Sequence, residues 1–171
     1  LQGASMNHNH QIYRDRRAAI LQQMRVQTGG GLALVPTAAE VARNRDSQFP
    51  YRHDSYFYYV SGFPEPGAVV ALIAGPEGDR HVLFCREKNE ERELWDGFRF
   101  GPDAAREIFG FDEAHPIAEL DRILPDLATD RPALYTPLGL FEAWDRKITG
   151  VLNEVRSRAR TGVAAPGEIV D

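Results

Sequence analysis

The order of hydrophobic and polar positions predicts a helix near the start of the chain and a strand directly after it. Apolar side chains share one face of a helix over residues 11–26: Tyr13, Ile20, Leu21 and Met24. The glycines at 29–31 end this helix, because glycine readily adopts left-handed and turn conformations. The apolar run 32–36 closes with a proline and predicts a short buried strand.

The middle of the chain has the composition of β-structure. After a loop at 44–47, the run YFYYV at 56–60 consists of residues that favour strands. Residues 67–74 are almost entirely apolar, which is typical of a central strand buried on both faces. A turn at 75–78 then leads to a partner strand at 80–85. These patterns predict three consecutive strands that are antiparallel neighbours.

The second half of the chain predicts helices separated by one short strand. Residues 86–101 are highly charged and show neither a helical nor a strand period. The elements expected after them are a helix at 103–109 between Pro102 and Gly110, a helix through Ile117, Leu120, Leu124 and Leu127 that Pro125 limits or kinks, a strand at 133–136 and a helix at 139–157. Helices that alternate with strands around a central hairpin predict an α/β fold with a mixed sheet.

The composition is that of one soluble globular domain, with 171 residues, 43% hydrophobic and 26% charged. A net charge of −5, spread along the chain, argues against a nucleic-acid partner, since phosphate binding needs a concentrated basic surface. No apolar run reaches the roughly 20 residues that span a bilayer, so no membrane partner is expected. Cys85 is the single cysteine and cannot form an internal disulfide. Together with the lack of a secretory signal, it predicts a cytoplasmic location.

The sequence alone offers no complete catalytic machinery. Its histidines are widely separated apart from the two near the start, and none shows the spacing of a zinc site. The glycines at 29–31 lack the lysine of a phosphate-binding loop, and no serine nucleophile elbow is present. Cys85 ends an apolar strand and is expected to be buried rather than nucleophilic. We therefore predict no catalytic residue and no metal site within this chain.

The segment 45–66 combines aromatic and charged side chains at unusual density. Seven aromatic residues fall from Phe49 to Phe63, among them four of the six tyrosines. Its candidate site residues are Tyr51, Arg52, Asp54 and Tyr59. One interpretation is a structural arginine–aspartate pair under a tyrosine-rich strand. The other is a surface that meets a charged peptide end or a neighbouring domain, since the arginine fork suits a carboxylate.

A second candidate segment is Glu-Leu-Trp-Asp-Gly-Phe-Arg at 93–99. A tryptophan in a charged loop flanked by glycine is rarely part of a core. Tryptophan is enriched where a pocket or interface must be formed at small entropic cost. We therefore interpret Trp95, with Arg99 beside it, as an interface or site residue.

Both segments resemble the N-terminal domain of the Xaa-Pro aminopeptidases (aminopeptidase P), within the creatinase and prolidase superfamily. The first segment matches the family pattern, with one residue of offset in its third part, at Asp46-Ser47, Tyr51-Arg52, Asp54 to Tyr59, Gly62-Phe63 and Glu65-Pro66. The second matches at Glu93, Trp95, Gly97, Arg99 and Gly101. The resemblance covers roughly residues 11–160, and the two motifs stand in the expected order.

The resemblance implies a mixed six-stranded sheet flanked by helices, which precedes a "pita-bread" catalytic domain that holds two divalent metal ions, commonly manganese. The whole enzyme would remove an N-terminal residue that precedes proline. Its implied partners are the C-terminal catalytic domain of the same chain, further copies in a dimer or tetramer, and proline-containing peptides. Trp95 resembles the aromatic residue that lines the substrate channel of an adjacent subunit. The expected substrate-channel or interface residues are Trp95, Arg52, Asp54, Tyr51, Tyr59 and Arg99.

The catalytic domain has no counterpart in this sequence. We interpret residues 1–5 as a cloning remnant, residues 6–160 as the N-terminal domain and residues 161–171 as the start of a linker. Two alternatives stay open. The first is that the chain is the same domain from a prolidase or a creatinase-like amidinohydrolase. The second is that it is a stand-alone peptide-binding module. The Trp95 segment and the Tyr51-Arg52 pair favour aminopeptidase P.

Overall fold

The computed structural model describes residues 3–37, 42–44, 47–48 and 55–171, with side chains for 10–37 and 55–171. The helices are α1 (Gly3–Thr28), α2 (Ser55–Ser61), α3 (Glu90–Asp96), α4 (Gly101–Phe109), α5 (Leu120–Ala128) and α6 (Glu142–Ser157). The strands are β1 (Gly31–Pro36), β2 (Ala42–Asn44), β3 (Ser47–Gln48), β4 (Val69–Gly75), β5 (Gly78–Cys85), β6 (Glu113–Pro116), β7 (Ala133–Tyr135) and β8 (Glu168–Val170). Two short 3-10 helices complete the description, Ile117–Glu119 and Ala159–Thr161.

Six strands form one mixed sheet in the order β6-β5-β4-β1-β7-β8, and β2 pairs with β3 separately. Strand β4 lies antiparallel to β1 on one side and to β5 on the other. The outer pairs, β1 with β7, β7 with β8 and β5 with β6, are parallel. The predicted fold class, a mixed six-stranded sheet flanked by helices, is therefore confirmed.

A hydrophobic core lies on each face of the sheet, and β4 contributes to both. Its alternate side chains Val69, Ala71 and Ile73 pack with helices α5 and α6. The intervening Val70, Leu72 and Ala74 pack with α1, α2 and α4. Every residue of β4 is buried, which confirms the prediction of a central strand covered on both faces.

The run at 56–60 is not a strand but the greater part of helix α2, so this prediction was wrong. Phe57 and Val60 are three positions apart, and in a helix they point into the same core, whereas a strand would place them on opposite faces. Tyr56, Tyr58 and Tyr59 remain exposed. Burial of this pair overrides the β-preference of the sequence.

The helical α2 also corrects two predictions built on that run. The antiparallel neighbours of β4 are β5, as predicted, and β1 in place of the run at 56–60. Residues 55–59 do not build the sheet, and Asp54 lies outside the described residues.

Other predicted elements occur close to their expected positions. Helix α4 has proline in its first turn and ends at Gly110, whose φ of 71° is in the left-handed region. Helix α5 contains Pro125, and α6 begins three residues later than predicted. Strands β6 and β8 were not predicted, since they are short edge strands without a buried alternation. Across the described part of the chain, no helix has both the length and the apolarity needed to cross a membrane.

Candidate functional site

Three of the six predicted site residues are described by the structure. Trp95 lies on α3 and Arg99 in the loop after it, whereas Tyr59 lies on α2. Tyr51, Arg52 and Asp54 fall outside the described residues. The structure therefore places the described candidates on two different surfaces of the domain.

Helix α3 is a seven-residue helix that buries none of its side chains. Its start is capped by Asn89, whose side-chain oxygen accepts the backbone N–H of Arg92 at 3.0 Å. Three glutamates in its first turn stabilise the helix through their interaction with the positive end of its dipole. It ends at Gly97, whose φ of 90° a residue with a side chain rarely adopts. Caps and charge, rather than apolar burial, define this helix.

Trp95 is the most exposed large hydrophobic side chain described, with 88% of its surface open. Leu94 beside it is 84% exposed, and Phe98 is 63% exposed. We call these three residues the Trp95 surface. A cluster of exposed apolar side chains on one segment is typical of an interaction site, whereas single exposed residues are ordinary.

Glu93 holds the loop that follows α3. Its carboxylate accepts hydrogen bonds from the Lys88 ammonium at 2.6 Å and from the backbone N–H of Arg99 at 2.7 Å. Lys88 also donates to the Arg99 carbonyl at 2.8 Å, and its ammonium lies 4.3 Å from the centre of the Phe98 ring. The hydrogen bond from Lys88, followed by that from Arg99, lowers the pKa of Glu93. The loop is thus closed on itself by one carboxylate and one ammonium.

Glu65 fastens the far end of the same loop to the body of the domain. This carboxylate is only 7% exposed. It forms an ion pair with Arg86 at 3.1 Å and accepts a hydrogen bond from the backbone N–H of Phe100 at 3.0 Å. The bond to Phe100 joins the two motif segments, which the sequence separates by 35 positions. A buried ion pair of this kind is costly to break from one side, because the partner charge stays buried.

Arg99 lies against its own loop rather than reaching into solvent. Its side chain is 15% exposed and meets Asp96 at 3.4 Å. Its Nε has no hydrogen-bond partner among the described residues. Gly101 adopts a φ of 76°, and a Cβ there would lie 2.8 Å from the Cβ of Lys88. The close approach of these two segments explains why glycine occupies this position.

Tyr59 belongs to a separate surface that α1 and α2 form together. The Arg16 guanidinium lies 4.1 Å from the centre of the Tyr59 ring and donates to the Tyr59 carbonyl at 3.1 Å. Next to it, Tyr13 and Tyr58 meet edge to face with ring centres 5.9 Å apart. Burial, followed by the hydrogen bond with Tyr58, raises the pKa of Tyr13. This surface is therefore aromatic, with the Arg16 guanidinium packed against it.

Neither a metal site nor a reactive thiol is present in the described part of the chain. No group of three or more histidine, cysteine or acidic side chains there could hold a metal ion. Cys85 is fully buried, as predicted, and burial followed by the charge of Glu65 raises the pKa of its thiol to about 12. The described residues therefore do not fit a metal cofactor, and Cys85 is not a nucleophile at neutral pH.

Comparison with known families decides what kind of domain this is. Residues 13–135 match the family described as "Aminopeptidase P, N-terminal domain". This match covers most of the chain and includes both motif segments. The chain belongs to this family. The resemblance drawn from the two motifs is thereby confirmed.

Relatives of this aminopeptidase P N-terminal domain are longer proteins. The Xaa-Pro aminopeptidase of Escherichia coli is 35% identical over 164 residues, which are 95% of this chain and 36% of that protein. The solved structure of Pseudomonas aeruginosa aminopeptidase PepP superimposes with a TM-score of 0.88 at 45% identity, covering 94% of this chain and 36% of that one. Zinc-substituted E. coli aminopeptidase P in complex with product gives the same TM-score at 36% identity, covering 95% and 36%. The chain thus spans about a third of the proteins it matches.

Sequence reasoning missed how the aminopeptidase P motif residues act together. Glu65 and Glu93 match the family pattern, but only the structure shows that both carboxylates hold the loop that follows Trp95 and α3. Lys88 was not singled out at all, although it joins Glu93, Arg99 and Phe98. The sequence of 86–101 did carry a signal for these polar contacts, since acidic and basic residues are interspersed there around isolated aromatic ones.

Proposed function

We propose that this chain is the non-catalytic N-terminal domain of a metal-dependent Xaa-Pro aminopeptidase, and that it serves oligomerisation and shapes the substrate channel. The complete enzyme releases an N-terminal residue that precedes proline. Its chemistry resides in a C-terminal domain with two divalent metal ions, for which we propose manganese. The proposed location is the cytoplasm, in keeping with a lone, buried cysteine.

The observation that best supports the channel role is the exposure of Trp95 on α3, a helix whose following loop is fastened. Its indole is 88% exposed, so it contributes little to the core of this domain. Glu93 and Glu65 hold the loop at Arg99 and Phe100, directly after Phe98, which limits its freedom before any partner binds. An exposed, preorganised tryptophan loses little entropy on binding and is therefore suited to an interface with a peptide or a neighbouring subunit.

The partners follow from the extent of the chain and from this surface. The chain spans 36% of the E. coli relative, which leaves room in such a protein for a catalytic domain. We propose that this domain contacts its own catalytic domain, and that a dimer or tetramer brings the Trp95 surface to the active site of a neighbouring copy. Proline-containing peptides would then meet Trp95 at the wall of the channel.

The test is Trp95→Ala in the enzyme that joins this domain to its catalytic domain. We expect kcat/KM for an Xaa-Pro peptide to fall at least about ten-fold, because a binding contact near the substrate is removed. Val26→Ala is the control, since Val26 is 71% exposed but lies on α1, outside the Trp95 surface. It should leave kcat/KM within about two-fold.

Two results would contradict the proposal. One is a Trp95→Ala enzyme with unchanged kinetics in an oligomer of unchanged size. The other is manganese-dependent cleavage of an Xaa-Pro peptide by the purified 171-residue chain alone, since the described residues form no metal site. If the first result came with a loss of thermal stability, Trp95 would be a structural residue.

A further inference from the structure

Arg17 of helix α1 is a fully buried arginine, with 0% of its surface exposed. No described carboxylate forms an ion pair with it. Its Nε donates to the Nδ1 of His81 at 2.9 Å, and its Nη1 donates to the carbonyl of Val60 at 2.9 Å. Its Nη2 donates to the carbonyls of Phe109 and Gly110, at 3.3 and 2.8 Å. A single side chain thus joins α1 to three other elements.

The guanidinium of Arg17 donates to carbonyls at the ends of two helices. Val60 lies in the last turn of α2, and Phe109 ends α4. Carbonyls at a helix C-terminus carry partial negative charge and lack partners within the helix, so a buried guanidinium there satisfies them. The Phe111 ring lies 4.1 Å from the guanidinium carbon and covers one face of it.

His81 of β5 completes this arrangement only in its neutral form. Its Nδ1 accepts the Arg17 Nε–H, which fixes the ring proton on Nε2. A proton on Nδ1 would remove the acceptor and place two positive charges in contact. The charged groups around His81 are Arg14 and Arg17 from α1, Asp79 from β5 and Asp112 from the segment before β6. Asp112 accepts the His81 backbone N–H at 2.8 Å and pairs with Arg14 at 3.0 Å, so its charge is already engaged.

We propose that the contact between Arg17 and His81 is an acid-sensitive junction, and that protonation of His81 separates the layer of α1, α2 and α4 from the sheet. Helix α2 has Tyr58 and Tyr59 on its exposed face, and the loop after α3 runs directly into α4. Loss of the junction therefore alters both candidate surfaces at once, while the core under α5 and α6 stays closed.

The direction of the pH effect follows from linkage. Burial first, and then the charges of Arg17 and Arg14, lower the pKa of His81 to about 4 from 6.5. A separated layer exposes His81 and restores its ordinary pKa, so the separated form binds the extra proton between these values. The junction is fully stabilising above pH 6.5, weakens as pH falls and is lost near pH 4. Between pH 7 and pH 4.5 the opening equilibrium should rise roughly ten- to fifty-fold.

Amide hydrogen exchange of the chain at pH 7 and pH 4.5, corrected for intrinsic rates, tests this junction. Peptides from α1, α2 and α4 should lose protection relative to peptides from α5 and α6. In His81→Asn the amide oxygen replaces Nδ1 as an acceptor that does not titrate, so the difference between pH 7 and pH 4.5 should nearly disappear. His115→Asn is the matched control, since His115 lies on the neighbouring strand β6 and should keep the native response.

Equal loss of protection on both faces of the sheet would overturn the proposal, and so would an unchanged response in His81→Asn. Should His81→Asn fail to fold, the imidazole nitrogen shifts of the native chain decide by NMR. A neutral ring protonated at Nε2 down to about pH 5 supports the junction. Titration of His81 at its ordinary pKa contradicts it.

Discussion

Strand β4 and the segment around Trp95 are held in place by opposite means. All seven residues of β4 are buried, and hydrogen-bonded strands lie on both sides of it. Helix α3 buries no residue, and its loop is held through Glu93 and Glu65. Apolar burial stabilises the strand, whereas caps and charged hydrogen bonds stabilise the loop.

The difference suggests a division of labour within the domain. Side chains that make a core cannot also face a partner, so an apolar surface for binding must be positioned by other contacts. Polar contacts can position it, because carboxylates fix backbone N–H groups at short distance without covering the neighbouring rings. The two regions should therefore respond to different perturbations.

The largest effect should come from Leu72→Ala in β4. Leu72 is 0% exposed and packs in the core beneath α1, α2 and α4. Removing its side chain leaves a cavity and should lower the free energy of unfolding by about 2–5 kcal/mol. Urea denaturation followed by circular dichroism measures this change.

Leu94→Ala makes the same substitution at an exposed position. Leu94 is 84% exposed on α3, so its truncation should change stability by less than about 0.5 kcal/mol. Comparable losses for Leu72→Ala and Leu94→Ala would refute the proposed contrast between the two regions.

The same contrast explains which parts of the fold could be predicted from the sequence. The continuous apolar run of β4 has one physical solution, burial on both faces, so its place in the sheet was predictable. The run at 56–60 was ambiguous, because its residues favour strands while Phe57 and Val60 have the spacing of a helical face. Contacts with α1 decide between a strand and a helix here, and the residues of α1 that make them are distant in the sequence.

The structure of the Trp95 segment could not be predicted by periodicity at all. Its stability depends on Glu65 reaching Phe100 across 35 positions, and on Lys88 and Glu93 meeting around the Arg99 backbone. Such bonds leave no repeating pattern in the sequence. The segment was nevertheless recognisable as a candidate site, since a tryptophan in charged surroundings is unusual for a core.

The next largest effect should come from Glu65→Gln. The amide can still accept the Phe100 N–H, but it no longer neutralises Arg86, whose side chain is 18% exposed. A charge left buried without its partner should cost about 1–3 kcal/mol of stability. Thermal unfolding of the chain measures this cost, and Glu77→Gln, in the exposed hairpin turn, is the control.

Recovery of the lost stability by the double variant Glu65→Gln with Arg86→Met would identify the unpaired charge as the cause. If Glu65→Gln instead behaved like Glu77→Gln, the loop would depend on other contacts than this carboxylate.

The smallest effect should be local and pH-dependent, at Glu93. The hydrogen bonds from Lys88 and Arg99 lower its pKa below the ordinary 4.5, so its contribution is complete above that value and lost as pH falls through the lowered pKa. Fluorotryptophan NMR separates the two tryptophans, with buried Trp144 as the internal reference. Acidification should narrow the Trp95 signal as the loop gains motion, while Trp144 stays unchanged. Glu93→Gln should show the narrow signal already at pH 7, and a signal of native width there would mean that Glu93 does not hold the loop.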